Sequence, residues 1–193
     1  SIIFSCADSV TCALDSHLKE LKKSFIFFNA QEQGKLTRIT NKYEMQKLAY
    51  ASGLTIPFTW LIVDDNVPDS IIYPCVTKDV DNVGGSKKDM NVFQNKQQLE
   101  EFLHQRPFGY DILVQQYIDK EIEYQLIGCS VRNLNGTYNI IIPGHTNILR
   151  AQPVTNTGFL EYLSNDDFEY DKDACCRFIE SCGYTGLFSL EFL

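Results

Sequence analysis

Apolar and polar residues follow one another along the chain with periods that predict short strands and short helices. At the start, residues 2–4 and 24–28 are apolar runs, and Leu14, Leu18 and Leu21 recur between them at helical spacing. The segment up to residue 28 is therefore predicted to form a strand–helix–strand unit of the α/β kind.

Beyond residue 40, three helices with recognisable ends interrupt the strand-like pattern. Asn41 can cap a helix that carries Glu44 three residues later, and Gly53 suits the position just after that helix. A second helix is predicted after Asn95, and a third is predicted over residues 173–182.

The segments around these helices are predicted to be strands. They lie at residues 58–63, 71–78, 111–118, 122–133, 137–144, 146–154 and 186–192. The dipeptide Asn135-Gly136 predicts a type I′ hairpin between two of them. Because several strands follow one another without a helix between them, we expect an α+β fold with antiparallel sheets, not a doubly wound parallel sheet.

Length and composition fit a globular protein with its own core. The 193 residues are enough for one large domain or two small ones, and 44% of them are hydrophobic. No apolar run approaches the roughly 20 residues that span a bilayer, and no signal segment opens the chain, so we expect a cytoplasmic protein without membrane contact. The seven cysteines show no disulfide or metal-ligand spacing, which predicts reduced, partly buried thiols.

Charge narrows the choice of partners. A formal net charge of −8 argues against a nucleic-acid surface, which needs a basic stripe to neutralise phosphates. A small anion could still bind where basic groups gather, as they do at Lys78 and residues 87–88. Residues 84–86 (Gly-Gly-Ser) lie among them, and glycines let backbone N–H groups turn toward an anion. The Walker spacing is missing, so a phosphate-binding loop and a plain surface loop both stay open.

Three further side chains stand where a bound nucleotide could use them. Lys42 falls in the first turn of a helix, where a positive charge is unfavourable unless an anion is near. Glu123 follows a strand and a turn, and its carboxylate could accept hydrogen bonds from ribose hydroxyls. Glu191 lies in an alternating strand, where Mg²⁺ is one partner that would offset its charge. Taken singly, Lys42 is more often a solvated lysine, the segment around Glu123 is better explained as an ordinary strand and turn, and Glu191 has an outward-facing, solvated side chain as its alternative.

In their order and spacing these segments resemble the ATP-grasp superfamily over residues 36–193. The resemblance rests on NKYEMQKLAYASGLTIPFTW, YPCVTKD, GGSKK, LVQQYIDKEIEY and GYTGLFSLEF. It implies an α+β fold in which two subdomains grip ATP: a small lid subdomain at about residues 56–112 and an incomplete C-terminal subdomain at about 113–193. Residues 1–35 resemble the end of the Rossmann-like domain that precedes ATP-grasp domains. The chain opens without Met and stops within a strand-like pattern, so we expect it to be part of a longer protein.

The resemblance also implies ATP and Mg²⁺ as cofactors and a role for each matching position. The implied roles are ATP phosphate binding for Lys42 and Lys78, a lid over the phosphates for Gly84, Gly85 and Ser86, an adenine hinge for Gln115, Gln116, Tyr117 and Ile118, ribose binding for Glu123, Mg²⁺ binding for Glu191, and a looser catalytic contact to a phosphate or acyl phosphate for Arg150.

The implied activity is that of an ATP-dependent carboxylate–amine ligase, which makes an acyl phosphate and lets an amine attack it. A carbamoyl-phosphate-synthetase-like enzyme and a catalytically silent nucleotide-binding domain are the alternatives. The partners implied are ATP with a small carboxylate and a small amine, and the sequence leaves open whether the chain forms a homodimer. Two departures stand out: Gln115 replaces the glutamate of many relatives, and the second metal carboxylate of the family, in a Glu-x-Asn pattern, would lie beyond Leu193. We therefore expect this portion alone to be inactive.

Overall fold

The computed structural model describes residues 1–80, 90–106, 111–119, 123–149, 159–163 and 169–192. Within them the fold is α+β, as the sequence predicted. In chain order its elements are β1 (Ile2–Ile3), α1 (Asp8–Ser16), α2 (Leu18–Leu21), β2 (Ile26–Phe27), α3 (Lys35–Ile39), α4 (Lys42–Ala51), β3 (Thr59–Ile62), β4 (Cys75–Asp79), β5 (Val92–Phe93), α5 (Lys96–His104), β6 (Ile112–Gln116), β7 (Tyr124–Arg132), β8 (Tyr138–Leu149), β9 (Phe159–Leu163), α6 (Lys172–Cys182) and β10 (Gly186–Phe192).

The N-terminal part is the predicted strand–helix–strand unit. Strands β1 and β2 pair in parallel, with α1 and α2 between them in the chain. Asp15, at the end of α1, is fully buried, and its Oδ2 accepts hydrogen bonds from the backbone N of Thr37 at 3.2 Å and from the Thr37 hydroxyl at 3.4 Å. The carboxylate thereby fixes α1 against the first turn of α3, where backbone N–H groups lack partners within the helix.

Four antiparallel strands in the order β3-β6-β4-β5 form the first large sheet, called here the Lys78 sheet. Helix α5 covers one face of it. Leu99 and Leu103 of α5 are buried there against Ile62, Cys75 and Val114 of the strands. Side chains alternate between faces along a strand, so Lys78, three positions after the buried Cys75 on β4, belongs to the opposite face.

Four more antiparallel strands in the order β10-β7-β8-β9 form the second sheet, called here the Glu191 sheet. On one face, Leu126 of β7 and Leu190 of β10 pack with Cys175 of α6. Helix α4 joins this side, because Met45 and Leu48 pack against the buried residues of α6. The other face carries Glu191, which is exposed.

The predicted capping residues at the helix ends are confirmed. The Asn41 side chain accepts hydrogen bonds from the backbone N of Tyr43 and of Glu44, and Asn95 accepts one from Gln98. Gly53 follows α4 with a φ of 92°, a left-handed conformation that glycine adopts without strain.

Three details of the predicted strands were wrong. The hairpin at Asn135-Gly136 exists, but positive φ occurs only at Gly136 (85°), so the turn is not type I′, which needs it at both central residues. One strand, β8, replaces the two predicted across Pro143, because a register shift between Ile127 and Cys129 makes room for a residue without an N–H group. Strand β9 was not predicted.

The buried cysteines behave as packing residues. All seven are free, as expected, and Cys75, Cys175 and Cys182 are buried. Burial raises the pKa of each of these three thiols to about 11, so they stay protonated near neutral pH and are poor nucleophiles. In the part of the chain that the structure describes, no helix is both long and apolar enough to cross a bilayer.

Candidate functional site

A cluster of three hydrogen-bonded polar side chains lies on the face of the Lys78 sheet that is turned away from α5. Lys78 Nζ donates a hydrogen bond to Gln115 Oε1 at 2.6 Å, and Gln115 Nε2 donates to Thr59 Oγ1 at 3.1 Å. Gln115 is only 3% exposed. The three side chains come from the neighbouring strands β4, β6 and β3, and we call them the lysine–glutamine–threonine chain.

Strand register explains why these three meet. Gln115 is paired with Thr59 on one side and with Val76 on the other. Lys78 lies two residues beyond Val76, so it is a diagonal neighbour of Gln115 on the same face. The glutamine amide is engaged at both ends, which fixes its orientation and holds the lysine ammonium in one place.

Lys42 is the other lysine that was predicted to bind phosphate. Hydrogen bonds connect it to the end of β4, the strand that carries Lys78. Lys42 Nζ donates to the backbone oxygen of Asp79 at 2.9 Å, and its backbone N donates to the oxygen of Val80 at 3.0 Å. Both acceptors follow Lys78 directly in the chain. The start of α4 and the end of β4 therefore bring the two predicted phosphate-binding lysines to one region.

The predicted adenine hinge continues from β6. The backbone N of Gln116 donates to Phe58 O at 2.8 Å, and that of Tyr117 donates to Pro74 O at 2.9 Å. Because these two backbone N–H groups already have partners within the protein, other atoms of Gln116 and Tyr117 would have to make any contact to a nucleobase. Ile118, the last of the four, is half-buried.

The two predicted carboxylates differ in environment. Glu123, just before β7, is only 7% exposed, whereas Glu191 on β10 is exposed. Glu191 lies directly opposite Gln125 of β7, which in turn lies opposite Thr146 of β8. Gln125 Nε2 donates to the hydroxyl of Ser189, the residue two positions before Glu191 on the same face.

Glu191 fits a magnesium ion as a single ligand. In the described ranges no group of three or more His, Cys, Asp or Glu side chains is arranged to hold a metal. Mg²⁺ is commonly held by one or two carboxylates together with substrate phosphates and water. An exposed carboxylate is compatible with that mode, and not with a closed site made of protein ligands alone.

Four predicted site residues fall outside the described residues. They are the lid residues Gly84, Gly85 and Ser86, and Arg150. Their roles stay predictions.

Two contributions to the site were not predicted from the sequence. Thr59 completes the lysine–glutamine–threonine chain, and the backbone oxygen of Asp79 receives Lys42. Thr59 could have been found only with the register of β3 against β6. A backbone acceptor leaves no trace in the sequence.

Comparison with known proteins identifies the fold, through solved structures alone. No family model and no curated protein matches the sequence. Among solved structures, the carboxyaminoimidazole ribonucleotide synthase of Aspergillus clavatus complexed with ATP is similar at a TM-score of 0.69 and 11% identity, over 99% of this chain and 49% of that one. An ADP complex of N5-carboxyaminoimidazole ribonucleotide synthetase is similar at a TM-score of 0.69 and 12% identity, over 98% of this chain and 49% of that one. The L-amino acid ligase of Bacillus licheniformis is similar at a TM-score of 0.63 and 12% identity, over 96% of this chain and 49% of that one.

The chain thus spans about half the length of these solved structures. At such low identity the likeness concerns the path of the backbone and not the chemistry. It covers nearly all of this chain, including both antiparallel sheets and the N-terminal unit. The chain has the ATP-grasp fold, as the resemblance of its sequence implied.

Proposed function

We propose that this chain is the nucleotide-binding portion of an ATP- and Mg²⁺-dependent ligase that activates a carboxylate as an acyl phosphate for attack by an amine. The observation that carries the proposal is the lysine–glutamine–threonine chain, in which Lys78 Nζ lies 2.6 Å from the oxygen of a buried amide. Gln115 orients the ammonium group and brings no negative charge of its own. Lys78 is thereby suited to receive a phosphate.

Local charge supports the same conclusion. The whole chain carries a formal charge of −8, which disfavours an anion at most of its surface. Lys42 and Lys78 are held near the end of one strand, through Asp79 O and Gln115. Two cations fixed in one region form a favourable place for a polyphosphate in an otherwise acidic protein.

The similar solved structures support a nucleotide as the ligand. Two of them are complexes with ATP or ADP, and the third is an amino acid ligase. In this chain the hinge after β6 would contact the base, Glu123 would accept hydrogen bonds from the ribose, and Lys42 and Lys78 would hold the phosphates. The lid residues and Arg150 would complete the phosphate contacts.

The proposed reaction has two steps. The substrate carboxylate attacks the γ-phosphorus of ATP, ADP leaves, and an acyl phosphate forms; the amine then attacks the acyl carbon and phosphate leaves. Lys42 and Lys78 would offset the negative charge on the phosphoryl oxygens during the first step. Mg²⁺ at Glu191 would add charge neutralisation when bound. Positioning and electrostatics would account for most of the rate.

The proposal is tested by ADP release from the protein that carries this chain at its natural length. Pairs of amino acids serve as carboxylate and amine donors, with Mg²⁺ and ATP present. We expect ADP release that needs both donors and disappears in the Lys78→Ala variant. ATP binding without donor-dependent turnover across the set would contradict the ligase assignment and favour a silent nucleotide-binding domain.

A further inference from the structure

Among the described side chains of the Glu191 sheet, one buried polar atom has no hydrogen-bond partner. Thr146, in β8, is 0% exposed, and its hydroxyl oxygen has no hydrogen-bond partner among the described residues. Such groups are uncommon in native proteins, because removing a hydroxyl from water without a replacement partner is unfavourable. A buried hydroxyl kept in this state calls for an explanation.

The position of Thr146 in the sheet suggests an explanation for its unpaired hydroxyl. The register places Glu191, Gln125, Thr146 and Tyr162 side by side in one row across β10, β7, β8 and β9. Paired residues of neighbouring strands point to the same face, so the threonine shares a face with Glu191. The opposite face carries Leu126 and Leu190 and packs on α4 and α6.

Thr146 is distinct from the other buried atoms without partners. Those are Asp15 Oδ1, Gln46 Oε1 and the Tyr73 hydroxyl, and they lie on α1, on α4 and just before β4. In the part of the chain that the structure describes, Thr146 Oγ1 is the one buried atom without a hydrogen-bond partner on the Glu191 face. Strands of a sheet are about 4.8 Å apart, so two strand spacings separate Thr146 from Glu191, or roughly 10 Å.

We propose that Thr146 is a ligand-binding residue whose hydroxyl donates a hydrogen bond to an anionic oxygen of a molecule bound on the Glu191 face. The inference rests on the proposed function, because that function places Mg²⁺ at Glu191 on this face, and Mg²⁺ is commonly held by a carboxylate together with substrate phosphates. Phosphoryl and carboxylate oxygens only accept hydrogen bonds, and a hydroxyl is a neutral donor. Bound ligand would satisfy the oxygen that the ligand-free fold leaves unpaired.

The test compares Thr146→Val, which keeps the shape and removes the hydroxyl, with Thr146→Ser, which keeps the hydroxyl. Calorimetric titrations of the full chain use Mg²⁺-ATP, Mg²⁺-ADP, and amino-acid carboxylates in the presence of Mg²⁺-ADP. Thermal unfolding of the ligand-free variants is measured in parallel. The Ser variant serves as the matched control for the Val variant.

We expect the Thr146→Val variant to melt at the same temperature as the wild type or a few degrees higher, because it no longer buries an unpaired hydroxyl. Its dissociation constant for the anion that uses Thr146 is expected to rise about tenfold, with the Ser variant close to wild type. An effect on both nucleotides identifies a phosphate, and an effect confined to the carboxylates identifies the acceptor substrate.

Two results would overturn the inference alone. One is nucleotide and carboxylate binding that is the same in wild type and Thr146→Val. The other is a loss of several degrees in melting temperature, which would mean that the hydroxyl serves the fold. A wild-type chain that binds none of the probes would overturn both the inference and the proposed nucleotide site, so the two failures are distinguishable.

Discussion

Changing Lys78 to alanine is expected to raise the dissociation constant for Mg²⁺-ATP by about ten- to hundredfold. Under the proposed function the variant would lose a hydrogen bond from a charged donor to phosphate, and such bonds contribute about 1.5–3 kcal/mol. The loss should be large for this lysine because Gln115 holds its Nζ at 2.6 Å, so little orientational freedom has to be given up on binding. Isothermal titration calorimetry measures the change directly.

Lys47 provides the matched control for this substitution. It lies on α4, and its side chain is 53% exposed beside Glu44. Changing Lys47 to alanine removes the same charge from the chain, yet affinity for Mg²⁺-ATP should stay within about twofold of wild type. Equal losses in the two variants would mean that net charge, and not the position of Lys78, governs binding.

The largest expected effect on stability comes from Leu99→Ala in α5. Leu99 is 0% exposed and packs in the core that joins α5 to the Lys78 sheet, with Ile62 and Val114 among its cluster. Removing a buried leucine side chain costs its transfer free energy and leaves a cavity, in total about 2–5 kcal/mol. Urea unfolding followed by circular dichroism should show this loss in the free energy of unfolding.

Gln97→Ala, two residues earlier on the same helix, is the control. The Gln97 side chain is exposed, and its Nε2 donates to Glu101 Oε1 at 2.8 Å. Its replacement should change the free energy of unfolding by less than about 0.5 kcal/mol. If Leu99→Ala were as mild as Gln97→Ala, the core assigned between α5 and the sheet would be wrong.

Features set by neighbours in the chain were predicted well. The caps at Asn41 and Asn95 and the glycine after α4 depend on a few adjacent residues, and each was found where the sequence predicted it. The sequence also predicted both Lys78 and Gln115 as site residues. The overall fold followed from the order of these local signals together with the family resemblance.

Features set by pairing between distant strands were not predictable. The contact of Lys78 with Gln115 and Thr59 depends on the register of three strands, which no local pattern specifies. Strand β9 is a short run whose identity as a strand comes from its pairing with β8. The unpaired hydroxyl of Thr146 is a property of its surroundings and has no counterpart in the sequence.

The central claim is that Lys78 and Gln115 act together as one phosphate-binding unit, and a double-mutant cycle tests it. Calorimetric titration with Mg²⁺-ATP compares wild type, Lys78→Ala, Gln115→Leu and the double variant, with melting temperatures measured to confirm that each is folded. We expect Gln115→Leu to weaken binding about fivefold in the wild-type background and to have no further effect once Lys78 is gone, because the glutamine acts by positioning the lysine. The same loss from Gln115→Leu in both backgrounds, or no loss in either, would contradict this account.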